Sequence, residues 1–124
     1  MLRPCVPEPA QALQQADATL RPLMQSARAA VFASPLDLPA VKASLIALFE
    51  YLGSPAGRTD TNCCAVDGFF YLDEDLPLER LPDSLQDVFA HMDALHDTIT
   101  APEIAQNFDS TPEALLERVR NSSI

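Results

Sequence analysis

The sequence predicts an all-α fold, a compact bundle of five to seven short helices in oblique packing, on three observations. Apolar residues recur at helical spacing in several separate windows. The three glycines are too few for the many tight turns of a sandwich or barrel. Most of the eleven prolines fall at the starts of helical patterns, where a missing N–H costs nothing. The segments are short and unequal, which favours oblique crossings over a parallel four-helix barrel. With 124 residues, 48% of them apolar, one core can form without a metal or disulfide staple.

Residues 1–8 read as an irregular arm, since Pro4 and Pro7 remove backbone donors. A helical pattern begins at Pro9, with Leu13, Leu20, Leu23, Met24, Ala27 and Val31 on one stripe. Pro22 interrupts it, predicting a kink or two short helices meeting near Arg21. Ser34-Pro35 ends the region. Asp37 caps the next helix, Leu38 to Leu52, with Pro39 in its first turn. Val41, Leu45, Leu48, Phe49 and Leu52 form its buried face, and Gly53 is expected at the left-handed position after it.

Thr59 or Asp60 caps a third helix through Cys63, Val66 and Phe70, reaching toward Leu72. A fourth starts near Pro82 or Asp83 and carries Leu85, Val88, Phe89, Met92, Leu95 and His96 on one face. Thr100-Ala101-Pro102-Glu103 and Ser110-Thr111-Pro112-Glu113 both read as capping boxes opening short helices. Residues 9–120 thus form a single helical domain, and residues 121–124 are expected to fray.

Charge divides the chain. Residues 1–59 balance at +1, whereas between Asp60 and Glu117 fourteen carboxylates stand against Arg80 alone, a balance of −13. Such a field disfavours nucleic acid and attracts a basic partner; the plainer reading is a solvated face that keeps the chain soluble. No apolar run approaches the roughly 18 residues of a membrane span, and no secretory signal opens the chain. Cys5, Cys63 and Cys64 are sparse and odd in number, which reads as a reducing compartment and a cytoplasmic protein. Seven arginines against the single Lys42 suggest a GC-rich bacterial coding background.

The chemistry-bearing residues each have two readings. His91 and His96 are five apart, about 140° round a helix, and cannot chelate one metal as an i, i+4 pair does. His91 can pair with Asp87 one turn earlier. His96 lies on the apolar stripe, where a bond from its ring to a backbone carbonyl is expected. Asp93 and Asp97 have the spacing to share a hard cation, but the loop spacing of a dedicated metal site is absent. Cys64, with Asp67 and His91, is the candidate set for nucleophilic or acid–base catalysis. Cys63 reads instead as a small buried hydrophobe. The run from Arg58 to Asn62 is a recognition loop or, more simply, a capping turn. Phe69-Phe70-Tyr71 cannot all face inward on a helix, so at least one ring belongs at the rim.

No phosphate loop, nucleophile elbow or dinucleotide fingerprint is present, and no cofactor is implied. The expectation is therefore a binding protein, immunity- or adaptor-like by analogy of size and charge. Asp60, Asn62, Phe69, Tyr71, Asp73, Glu74 and Asp75 are its candidate contacts with a basic partner protein. A small enzyme and a homo-oligomeric structural or regulatory module, such as a homodimer, are the alternatives.

Overall fold

The computed structural model describes residues 9–71, 73–122 and 124. Among them the secondary structure is entirely helical. The helices are α1 (Pro9–Gln15), α2 (Leu20–Phe32), α3 (Leu38–Gly53), α4 (Asp60–Val66), α5 (Asp83–Ala90), α6 (Asp97–Thr100), α7 (Pro102–Asn107) and α8 (Pro112–Arg120). A π-helical turn, Asp67–Tyr71, prolongs α4, and a 3-10 turn, Leu78–Arg80, precedes α5. The expected N-terminal arm, residues 1–8, and the reach of the third helix to Leu72 lie outside the described residues.

The chain breaks before Pro22 because Asp17 and Arg21 each satisfy one side of the corner. Asp17 Oδ1 accepts from the N–H groups of Thr19 (3.0 Å) and Leu20 (2.6 Å), capping α2. The Arg21 guanidinium turns back to the carbonyls of Leu13, Gln14 and Ala16 at the end of α1. Pro22 therefore falls in the first turn of α2, where it does no harm. A cis Ser34–Pro35 bond lies between α2 and α3.

Helix α3 is the central strut, packed against α2 and α8. Asp37 Oδ1 accepts from Ala40 N at 3.3 Å, and Val41, Leu45, Leu48, Phe49 and Leu52 are fully buried. Gly53 departs from expectation: no described glycine has positive φ, and Gly53 is the last residue of the helix itself. Its space matters instead, because a Cβ there would rest 3.6 Å from Pro112 Cβ of α8.

The predicted fourth helix does not run unbroken to His96. Its regular bonding ends at Ala90, where the His91 N–H is shared between the carbonyls of Asp87 and Val88. Shorter bonds follow, Met92 to Phe89 and Leu95 to Met92, before α6 begins. These turns still bury Met92 and Leu95, so an apolar stripe persists through a helix that has stopped.

The capping boxes are also revised. Thr100 lies inside α6, and Ala101 precedes α7 without a side-chain cap. At α8 the cap is Thr111, whose Oγ1 accepts from Ala114 N at 3.2 Å. Ser110 is fully buried and donates to the His91 carbonyl. Glu113 reaches Arg58 rather than its own helix start. The end of α7 forms a Schellman motif: Ser110 N bonds Ala105 O, Asp109 N bonds Gln106 O, and Asp109 takes the left-handed conformation at φ 53°. Beyond α8, Ser122 is buried, and Lys42 Nζ approaches the carbonyls of Arg120, Ser122 and Ile124.

Candidate functional site

Among the described residues, helix α4 and its π-helical turn form the longest enclosed run: every residue from Asn62 to Phe70 is buried. Thr59 starts this helix by accepting from Asn62 N at 3.1 Å. Arg58 to Asn62 is accordingly a capping turn. The Asn62 side chain donates to Asp17 Oδ2 (2.9 Å) and Gly57 O (3.0 Å) and accepts from Asp17 N (3.2 Å). Tyr51 donates to the same Asp17 carboxylate at 2.7 Å. Burial raises the Asp17 carboxyl, but the donors Asn62, Leu20, Tyr51 and Thr19 together hold it below the usual carboxylate range. Asn62 is thus a structural tie joining the α1–α2 corner to α4, and it is withdrawn from the candidate partner contacts.

The aromatic run divides as its geometry requires. Phe69 and Phe70 are buried edge-to-face, 4.9 Å between centroids, and Phe70 meets Phe89 at 5.9 Å. Tyr71 is the rim aromatic, 52% exposed. Phe69, expected as a contact, is 5% exposed and lines a groove with Leu13, Arg28 and Ala29. Asp73 is also not an open contact: its carboxylate meets Arg28 Nε at 2.8 Å and accepts from Asp75 N at 3.0 Å. Arg28 in turn covers the Phe32 ring, 4.4 Å from its centroid. Glu74, Asp75 and Asp60 are exposed.

Beside Tyr71 lies a recess of about 310 Å³ lined by Phe70, Leu78, Phe89 and Ala90, with Asp73 and Gln86 at its polar edge. The basic residue nearest along the chain, Arg80, directs its guanidinium to the carbonyls of Val31 and Ala33 at the end of α2. Among the described residues, Glu74, Asp75, Glu79 and Asp83 have no salt bridge. The recess is thus lined mainly by apolar side chains; its one carboxylate, Asp73, is paired with Arg28, and the unpaired Glu74, Asp75, Glu79 and Asp83 are its neighbours along the chain.

The catalytic candidates do not assemble. Cys64 is disulfide-bonded and offers no thiolate. That bond also removes the argument that three reduced cysteines mark a reducing compartment. Cys63 is the buried hydrophobe expected, its thiol pushed up to about 12 by burial. His91 Nδ1 lies 2.8 Å from the Asp87 carbonyl and 3.4 Å from its carboxylate, which also meets Arg118. Asp67 belongs with the other histidine. Its Oδ2 lies 3.2 Å from His96 Nδ1, and His96 Nε2 lies 3.7 Å from Asp97 Oδ2. His96 therefore faces carboxylates, not the backbone carbonyl expected for it.

Nothing in the spacing of Asp67 and His96, 29 residues apart, announces this pair. The available signal is a lone carboxylate inside the apolar run from Cys63 to Phe70. Among the described residues no three His, Cys, Asp or Glu side chains are grouped to hold a metal ion, and no helix is long and apolar enough to cross a membrane. Comparison with protein families, curated proteins and solved structures finds no match to this chain.

Proposed function

We propose that the chain is a binding protein whose Tyr71 recess takes an apolar side chain of a basic partner protein. The observation that carries this reading is a half-exposed tyrosine at the rim of an apolar recess, in a stretch of chain where Asp73 is paired with Arg28 but Glu74, Asp75, Glu79 and Asp83 have no salt bridge among the described residues. An exposed aromatic beside a pocket is the usual anchor of a binding hot spot. The surrounding charge would raise the rate of encounter with a basic surface and repel an acidic one. Glu74, Asp75, Glu79 and Asp83 supply that field; Tyr71, Leu78 and Phe89 supply the anchor site.

The test uses synthetic amphipathic helical peptides carrying arginines and one leucine or phenylalanine anchor. Controls replace the anchor by alanine or the arginines by glutamates. Amide shift mapping on the full chain is expected to centre on Tyr71, Leu78 and Phe89 for the basic anchored peptide alone. Tyr71→Ala should weaken that binding roughly thirtyfold, the effect of a hot spot worth ~2 kcal/mol. Shifts spread evenly over all carboxylates, indifferent to the anchor and to Tyr71, would reduce the acidic half to a solubility device. Concentration-dependent shifts at Tyr71 without peptide would assign the recess to a second copy of the chain and overturn the proposal.

A further inference from the structure

Asp67 opens the π-helical turn that Tyr71 closes, and it is 1% exposed. A carboxylate so placed needs a counter-charge or a proton. His96, itself 8% exposed, stands against it. The imidazole lies between two carboxylates from different elements, Asp67 of the π-helical turn at Nδ1 and Asp97 of α6 at Nε2. The charged groups acting on His96 are Asp67, Asp97 and Asp60 of α4, and Asp93 adds to the field on Asp67; all are acidic. Asp67 Oδ1, His96 Nδ1, Asp97 Oδ2 and Thr98 Oγ1 are buried with no hydrogen-bond partner of good geometry among the described residues, so Asp67 and His96 meet as a close charge contact at 3.2 Å. The acid–histidine contact thus belongs to an unsatisfied polar seam between the π-helical turn and α6, where a proton on the ring supplies the counter-charge.

A neutral imidazole has one N–H and can serve one of its two carboxylates; the imidazolium has two and can serve both. The segment this contact holds is sparsely buried, its other ties being the packing of α6 on α4 and, at the end of α7, the bonds of Ser110 to the His91 carbonyl and of Asp109 to Arg118. Within α6 and α7 only Thr98 and Ala105 are buried, while Ile99 and nearby Phe108 are 41% and 46% exposed. Such sparsely buried units open first.

We propose that protonated His96 is a clamp that fastens α6 and α7 to the π-helical turn, and that its deprotonation releases them. When the proton leaves for solvent, Asp67 stays buried without a counter-charge and the Asp97 carboxylate faces a ring lone pair. Both effects favour opening. The two states are related by one proton and need no other ligand. Consistent with the geometry, the Asp67 side chain raises His96 above its ordinary 6.5, burial opposes this, and the charges of Asp97 and Asp60 add to the rise.

The test is a ring-nitrogen NMR titration of His96 in the full chain, with amide exchange of residues 97–108 measured across the same range and corrected for intrinsic rates. His96 should titrate above 6.5. Protection of residues 97–108 should fall across that midpoint, about tenfold for each pH unit by which the midpoint exceeds the unfolded value. Protection of Val41–Leu52 should change much less. Asp67→Asn should lower the His96 midpoint, and His96→Gln should leave residues 97–108 weakly protected at every pH. Should either variant fail to fold, the unmodified chain still decides. A His96 midpoint at or below 6.5, or flat protection of residues 97–108 across it, overturns the proposal.

Discussion

Two glycines four residues apart should respond to alanine with opposite signs. At Gly57 a Cβ would lie 2.1 Å from Tyr51 O, 2.8 Å from Tyr51 C and 2.9 Å from Tyr51 Cδ2. These are mostly backbone atoms at the end of α3, so the loop must move. That loop holds the bonds from Gly57 N to Ser54 Oγ (3.1 Å) and from Asn62 Nδ2 to Gly57 O (3.0 Å). Overpacking of this kind costs about 1–3 kcal/mol, and a strained or lost hydrogen bond adds about 1 kcal/mol. Gly57→Ala is expected to cost about 2–4 kcal/mol, a fall in Tm on the order of 10 °C for a domain of this size. At Gly53 the nearest neighbour of a Cβ is Pro112 Cβ at 3.6 Å, ordinary contact, and the residue is helical. Gly53→Ala should therefore stabilise by about 0.5 kcal/mol through helix propensity. Urea melts of the two variants, compared at equal m, read both signs. A destabilised Gly53→Ala would restore the left-handed cap expected from sequence, and a neutral Gly57→Ala would refute the close-approach argument.

Asn62→Ala removes a buried amide that serves Asp17 and Gly57 together, and should cost about 1–3 kcal/mol in a denaturant melt, whereas Asp60→Ala on the open surface should stay within about 0.5 kcal/mol. Cys63 is buried and its thiol pushed up to about 12, so at pH 8 a thiol reagent should label it only as the chain unfolds; labelling at native-state speed would contradict its place in the core. Stability should peak in mild acid. Asp17, held below 3.8, contributes stability that is present above 3.8 and lost as pH falls through its folded value. His96, held above 6.5, contributes stability that is present below 6.5 and lost as pH rises through its folded value. Asp67, raised by burial, acts in the same direction as His96. A urea midpoint that keeps climbing between pH 6.5 and about 8.5 would show that the His96 contribution is absent.

Helix α3 is legible in the sequence because all its signals are local: Asp37, Pro39 and the stripe from Val41 to Leu52 lie within one stretch of chain. Pro22 predicts either a kink or two helices meeting near Arg21, and side chains that reach across the corner at Asp17 select the second. The end of α5 was hidden because shorter turns can bury Met92 and Leu95 as an α-helix would, so hydrophobic spacing alone does not reveal the change of bonding. Among the expected contacts, Tyr71, Glu74, Asp75 and Asp60 are exposed, whereas Asn62, Phe69 and Asp73 are engaged within the fold. No local rule separates these groups. Asn62 and Asp73 are each held by a residue 45 positions away.

The same long-range pairing explains how the acidic half keeps its field. Helices α1 and α2 have no basic residue in their last turns. Their terminal carbonyls are met instead by Arg21 and Arg80, and the carbonyls beyond α8 by Lys42. A cation at a helix C-terminus satisfies orphan carbonyls and opposes the negative end of the dipole. Each cation used in this way is unavailable to neutralise a surface carboxylate. Arg28, Arg58, Arg118 and Arg120 are similarly bound to single partners or small groups of carboxylates. Stability and surface charge are thus coupled: replacing Arg80 with methionine would uncap α2 and make the Tyr71 face still more negative. Encounter with a basic peptide should then quicken at low salt even as the fold weakens, a divergence that an effect on folding alone would not produce.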